Sequence, residues 1–120
     1  MSDFLLLMHN DAVDLALANN TAAWDRYFGL LAQSGCFAGG SAIGAGRCFR
    51  KNNERSSEVS MPESMPGSIQ SAAIPQANSD HLTGFIRLRV EHIAAAEAFL
   101  IGNPVYEAGG TVEIRELPQD

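Results

Sequence analysis

The side chains in this sequence whose types and spacing could do chemistry are three histidines and a few charged residues on short alternating segments. His9 ends a run of apolar residues and stands close to Asp11. An imidazole titrates near neutrality, so at a strand end it can serve as general base or acid; the plainer reading is a histidine bonded to backbone or water. His81 follows Asp80 directly before Leu82-Thr83-Gly84-Phe85, so a histidine–carboxylate contact is open there, against the plainer reading of a solvated loop pair. His9 and His81 are the candidate catalytic residues. His92, beside Glu91 at a helix start, reads as surface.

Arg87 and Arg89 alternate on one segment, and Glu113 and Arg115 on another, so each pair falls on one face of its strand. If the two strands share a sheet, Arg87, Arg89, Glu113 and Arg115 form a constellation able to hold an anionic ligand. The alternative is salt bridging across a dimer interface. Gly39, Gly40, Gly44 and Gly46 form neither a Gly-x-Gly-x-x-Gly run nor a Gly-Lys-Ser/Thr ending, so no nucleotide loop is expected. Cys36 and Cys48 lack Cys-x-x-Cys spacing and the histidines are scattered. No metal and no cofactor is therefore expected, and in a reducing compartment both thiols stay free.

The elements that must position these residues follow from periodicity. Phe4-Leu5-Leu6-Leu7-Met8 is a continuous apolar run and predicts a strand over residues 3–9 buried on both faces. Asn19, Asn20 and Thr21 can cap a helix, in which Trp24, Tyr27, Phe28 and Leu31 recur on one stripe until Gly35 stops it. That spacing marks the aromatics as core rather than as a cofactor box. Residues 36–50, glycine-rich, suit a bulged or bent strand or a hairpin. Residues 51–80 carry Pro62, Pro66 and Pro75 among serines and asparagines and predict a long mobile connection, with a short strand hidden near 57–61 or 69–74. Residues 81–90 alternate as a strand, 91–101 form a second helix with Ile93, Ala96 and Leu100 on one side, and 111–117 form the last strand. The order β-α-β-(β)-α-β makes a ferredoxin-like α+β fold the economical topology: a βαββαβ antiparallel sheet with two helices on one face.

Ile86, Leu88, Val90, Val112 and Ile114 would face the helices, leaving Phe85, Arg87, Arg89, Glu113 and Arg115 on the other side. With the first strand apolar front and back, each large aliphatic left wet forfeits about 1.5–3 kcal/mol, so a second copy of the chain is the simplest cover. A homodimer is expected, with a partly enclosed chamber between its sheets.

Size and charge agree with that picture. At 120 residues, 46% of them hydrophobic, the chain builds one core and one domain spanning 1–120. A net charge of −6 argues against nucleic acid and anionic membranes as partners. The N-terminal apolar run lacks a basic flank and is far too short to span a bilayer, so a cytoplasmic location is expected.

The apolar opening run, the aromatic helix, Gly35 with Gly39-Gly40, Leu82-Thr83-Gly84-Phe85, and Asn103-Pro104 leading to Gly109-Gly110-Thr111-Val112-Glu113-Ile114-Arg115 together resemble the YCII-related, or DGPF-domain, family. The resemblance implies a dimeric α+β barrel whose members range from small-molecule enzymes to partners of transcription sigma factors. The Asp-Gly-Pro-Phe signature itself is absent, with Ala72-Ala73-Ile74-Pro75 in its place, and the acidic and lysine residues that follow it are missing around residues 77–79. The histidine–aspartate pair of some members does not map onto this chain residue by residue, and His9 matches by position only. The expected function is binding of a small, anionic organic molecule in a chamber at the dimer interface, with weak acid–base chemistry at His9. The rival is a non-catalytic homodimeric interaction module, such as a transcription-related partner protein, and the residues leave open whether the chain is an enzyme.

Overall fold

The structure, a computed structural model, describes residues 1–51, 73–74 and 79–119. Two compact units emerge, Met1–Gly44 with His81–Asp120, and Ala45–Asp80. The first holds a four-stranded antiparallel sheet of β1 (Ser2–His9), β2 (Phe37–Ala42), β5 (Leu82–Val90) and β6 (Val112–Leu117), in the order β2-β5-β1-β6. That is the strand order of a ferredoxin-like sheet, the fold expected from the sequence. In the second unit, β3 (Cys48–Phe49) and β4 (Ala73–Ile74) form a two-stranded ribbon. Residues 36–50 are thus not one strand but two. Of the two places expected to hide a strand, β4 falls within 69–74, and 57–61 lies outside the described residues, as does most of the 51–80 connection.

β1 is central because its apolar run can be covered from inside. Phe4, Leu6 and Met8 are buried, in register with Leu88, Ile86 and Gly84 of β5. Ile86, Leu88 and Val90 are buried on the same side, and Val112 and Ile114 of β6 pack against this core. Leu5 and Leu7 point the other way and are half-buried, Leu5 between Arg87 and Arg115, Leu7 between Phe85 and Glu113. The period-two alternation of strands produces this division.

The core is closed by the long helix α2 (Thr21–Ser34). Asn20 caps it, its side chain accepting from the Ala23 amide at 2.8 Å, and Gly35 ends it in the left-handed region at φ 78°. Tyr27 and Leu31 are buried, whereas Trp24 and Phe28 of the same stripe are only partly so. Ahead of α2, Asp14 caps a single-turn helix α1 (Leu15–Ala18), which sequence periodicity does not show. β2 crosses β5 so closely that a Cβ on Gly40 would lie 2.7 Å from the Phe85 carbonyl oxygen, which is why glycine stands there.

The expected helix over 91–101 is shorter. α3 (Ile93–Glu97), capped by the imidazole of His92, tightens into a 3₁₀ turn (Ala98–Leu100), and Ile93 is exposed rather than inward. The turn presents the Phe99 carbonyl to the Tyr27 hydroxyl, which donates to it at 2.6 Å. Asn103 then caps a further short helix, α4 (Pro104–Glu107), by accepting from the Val105 and Tyr106 amides. An Asn-Pro pair stops one helix, yet it also starts another, because Asn supplies the cap and Pro suits the first turn. Among the described residues no helix is long and apolar enough to cross a membrane.

Candidate active site

β1 runs out at His9, where the β1–β5 pairing slips: Met8 faces Gly84, His9 faces Leu82, and Thr83 is the extra residue. Bulges of this kind re-aim the side chains beside them. His9 is held there by its amide, which donates to the Thr111 carbonyl at 3.0 Å, and Asn10 by its amide, which donates to the His81 carbonyl at 2.8 Å.

The His9 side chain lies 3.0 Å, through Nε2, from Oε1 of Glu113 on β6. Since a carboxylate only accepts, Nε2 carries the proton, and in the neutral ring the lone pair sits on Nδ1. Glu113 is in turn approached by Arg115, Nη1 to Oε2 at 3.3 Å. The His81 ring packs edge-on against His9, centroids 4.5 Å apart. Asp11, the carboxylate nearest His9 in sequence, is occupied elsewhere. It accepts from the Thr111 hydroxyl at 2.6 Å and the Thr111 amide at 2.8 Å, which hold its carboxyl below the usual range.

Beside His9 opens a cavity of about 410 Å³ whose lining includes Met8, Trp24, Phe28, Thr83 and Phe85. That volume falls within the range of small-molecule sites.

Arg87 and Arg89 lie on the same sheet face as Glu113 and Arg115 but serve a different residue. Both grip Asp3, which is 1% exposed. Arg89 Nε donates to Oδ1 at 2.7 Å and Arg87 Nε to Oδ2 at 3.1 Å. These bonds from Arg89 and Arg87 lower the Asp3 pKa to about 2, and Asp3 raises that of Arg89. Asp3 and His9 are six positions apart on an extended strand, about 20 Å, whereas Arg87 and Arg115 both flank Leu5 between them. The structure therefore brings His9, His81 and Glu113 together near the end of β1, with Arg115 reaching Glu113 from beside Leu5, and ties Arg87 and Arg89 to Asp3 near the strand's start. Sequence reading missed Asp3, whose single charge near the chain start gives no signal of its two partners. It also assigned Trp24 and Phe28 wholly to the core, because a helical stripe does not reveal which members border a cavity.

No family model matches the sequence, and no curated protein does. Among solved structures the chain is similar to the 5-chloro-2-hydroxyhydroquinone dehydrochlorinase TftG of Burkholderia phenoliruptrix AC1100, solved with 2,5-dihydroxybenzoquinone. Identity is 15% and the TM-score 0.54, over 98% of this chain and 95% of that one. At this distance the likeness shows the fold alone, a ferredoxin-like α+β arrangement.

Proposed function

We propose that the chain binds a small organic molecule in the cavity at the end of β1 and moves a proton to or from it through His9, oriented by Glu113. The observation that carries this reading is the 3.0 Å His9–Glu113 contact at the wall of a cavity of about 410 Å³. Glu113 sets the tautomer and stabilises the imidazolium once His9 has taken a proton, and these are the tasks of an orienting carboxylate. The similar structure is itself described as a small-molecule enzyme with a ligand bound, which favours a binding site in this fold. In the same reading a second copy of the chain covers the outer sheet face, where Leu5 and Leu7 are half-buried in one copy.

A thermal-shift screen of small organic molecules tests the site. A ligand at a hundred times its Kd stabilises by about 2.7 kcal/mol, a rise of several degrees in melting temperature. Ala42→Phe, which puts a ring into the cavity from the exposed end of β2, is expected to remove the shift. His9→Gln is expected to keep the shift and to slow catalysed solvent-deuterium exchange into carbon-bound positions of the ligand, which removal of its hydroxyl proton activates, by about 10²–10⁴-fold. A shift that persists in Ala42→Phe would overturn the assignment of the site.

A further inference from the structure

We infer that the ligand of this cavity enters uncharged and presents a flat, unsaturated ring to Trp24, with a hydroxyl whose proton His9 accepts. The inference rests on the reading above that the cavity is a binding site and goes further in naming the ligand's chemistry.

Its first support is the charge of the wall. Among the described residues, the cavity is lined by no Arg, Lys, Asp or Glu; besides His9, its polar groups are neutral amides and hydroxyls such as Asn10, Ser41 and Thr83. The cations the sequence offered for an anion are committed elsewhere, Arg87 and Arg89 to Asp3, and Arg115 to Glu113. A carboxylate or phosphate ester in such a space meets no guanidinium, ammonium or paired ion among the described lining residues. Arg87, Arg89, Glu113 and Arg115, expected to hold an anion in a chamber between the sheets of a dimer, do not line this cavity.

The second support is the aromatic wall. Trp24 and Phe28 are near-parallel, at 27° with centroids 5.6 Å apart, and both line the cavity. The indole cannot turn freely, because its N–H donates to the Ala18 carbonyl at 2.7 Å. A π-face fixed before binding costs no ordering when a ring stacks on it.

The third support is the proton. When His9 takes the hydroxyl proton, the O–H bond breaks, an Nδ1–H bond forms, and the electron pair remains on the ligand oxygen. The imidazolium so made keeps its other N–H on Glu113. Charge of both signs is thus created inside the site, next to its partner, and the ligand need not carry any on entry.

The sole tryptophan of the chain is Trp24, so its fluorescence reports on this wall. The probes are hydroquinone in anaerobic buffer, benzoate, and cyclohexane-1,4-diol, titrated into the full chain and into Ala42→Phe. Saturable quenching by hydroquinone, lost in Ala42→Phe, is expected with a Kd at least about tenfold below those of the other two. Thr83→Lys, which puts a cation at the wall, is expected to turn the preference towards benzoate. Should benzoate bind the unaltered chain as tightly as hydroquinone, the charge inference falls and the site stands. If the saturated diol matches hydroquinone in a thermal shift, the ring inference falls. Absence of any change sensitive to Ala42→Phe with all three probes, in fluorescence and in melting temperature, overturns the binding site itself.

Discussion

Asp3 shows how much one buried charge depends on its partners. Its carboxyl, brought down to about 2 from an ordinary 3.8 by Arg89 and Arg87, is ionised in the folded chain well below the pH at which it protonates when unfolded. A depressed folded pKa contributes stability above the unfolded value and loses it as pH falls through the folded one. Asp3→Asn is therefore expected to lower the urea midpoint near pH 7, with the difference from the parent chain shrinking between about pH 4 and pH 2. A constant difference across that window would show that the substitution acts through packing instead. Glu113 makes the complementary case at the other end of the strand. Glu113→Gln keeps an acceptor beside His9 and removes the charge that stabilises the imidazolium. Deuterium exchange into carbon-bound positions of a bound ligand is expected to fall by about 10²-fold with ligand affinity nearly unchanged, a split that titration calorimetry beside exchange NMR measures. Neither partner choice was legible in the residues. The two candidates nearest His9 and His81 in sequence, Asp11 and Asp80, are local, whereas Glu113 reaches His9 across 104 positions.

At the scale of elements, α2 and the strands follow local rules, and the sequence announces them well. Asn20→Ala removes the side-chain acceptor of the first turn and is expected to cost about 1 kcal/mol in a chemical denaturation curve. Leu31→Ala empties a fully buried position on the same helix, for which about 2–5 kcal/mol is expected. The helix over 91–101 was legible only in outline. Alanine and leucine make it look continuous, but Tyr27 takes the Phe99 carbonyl and the chain tightens there. α1 and α4 have one turn each, too short for any period to show. Their caps, Asp14 and Asn103, were the available signals.

For the whole molecule, the outer face of the sheet carries the remaining prediction. With a second copy over Leu5 and Leu7, light scattering behind size exclusion is expected to return twice the chain mass. Leu5→Lys, placed between Arg87 and Arg115, is expected to halve that mass while the far-ultraviolet dichroism of the fold persists. A chain that is monomeric before substitution would remove the second copy from the proposal. By itself the sequence determined the helix stripe of α2, the alternating strands and the inward set of Ile86, Leu88 and Val90, because periods of 3.6 and 2 are written locally and burial follows them. Only the tertiary structure decided which charges meet. The register of β1 between β5 and β6 brings Asp3 to Arg89 and Glu113 to within reach of His9, and that register is set by long-range pairing of the whole sheet rather than by neighbours along the chain.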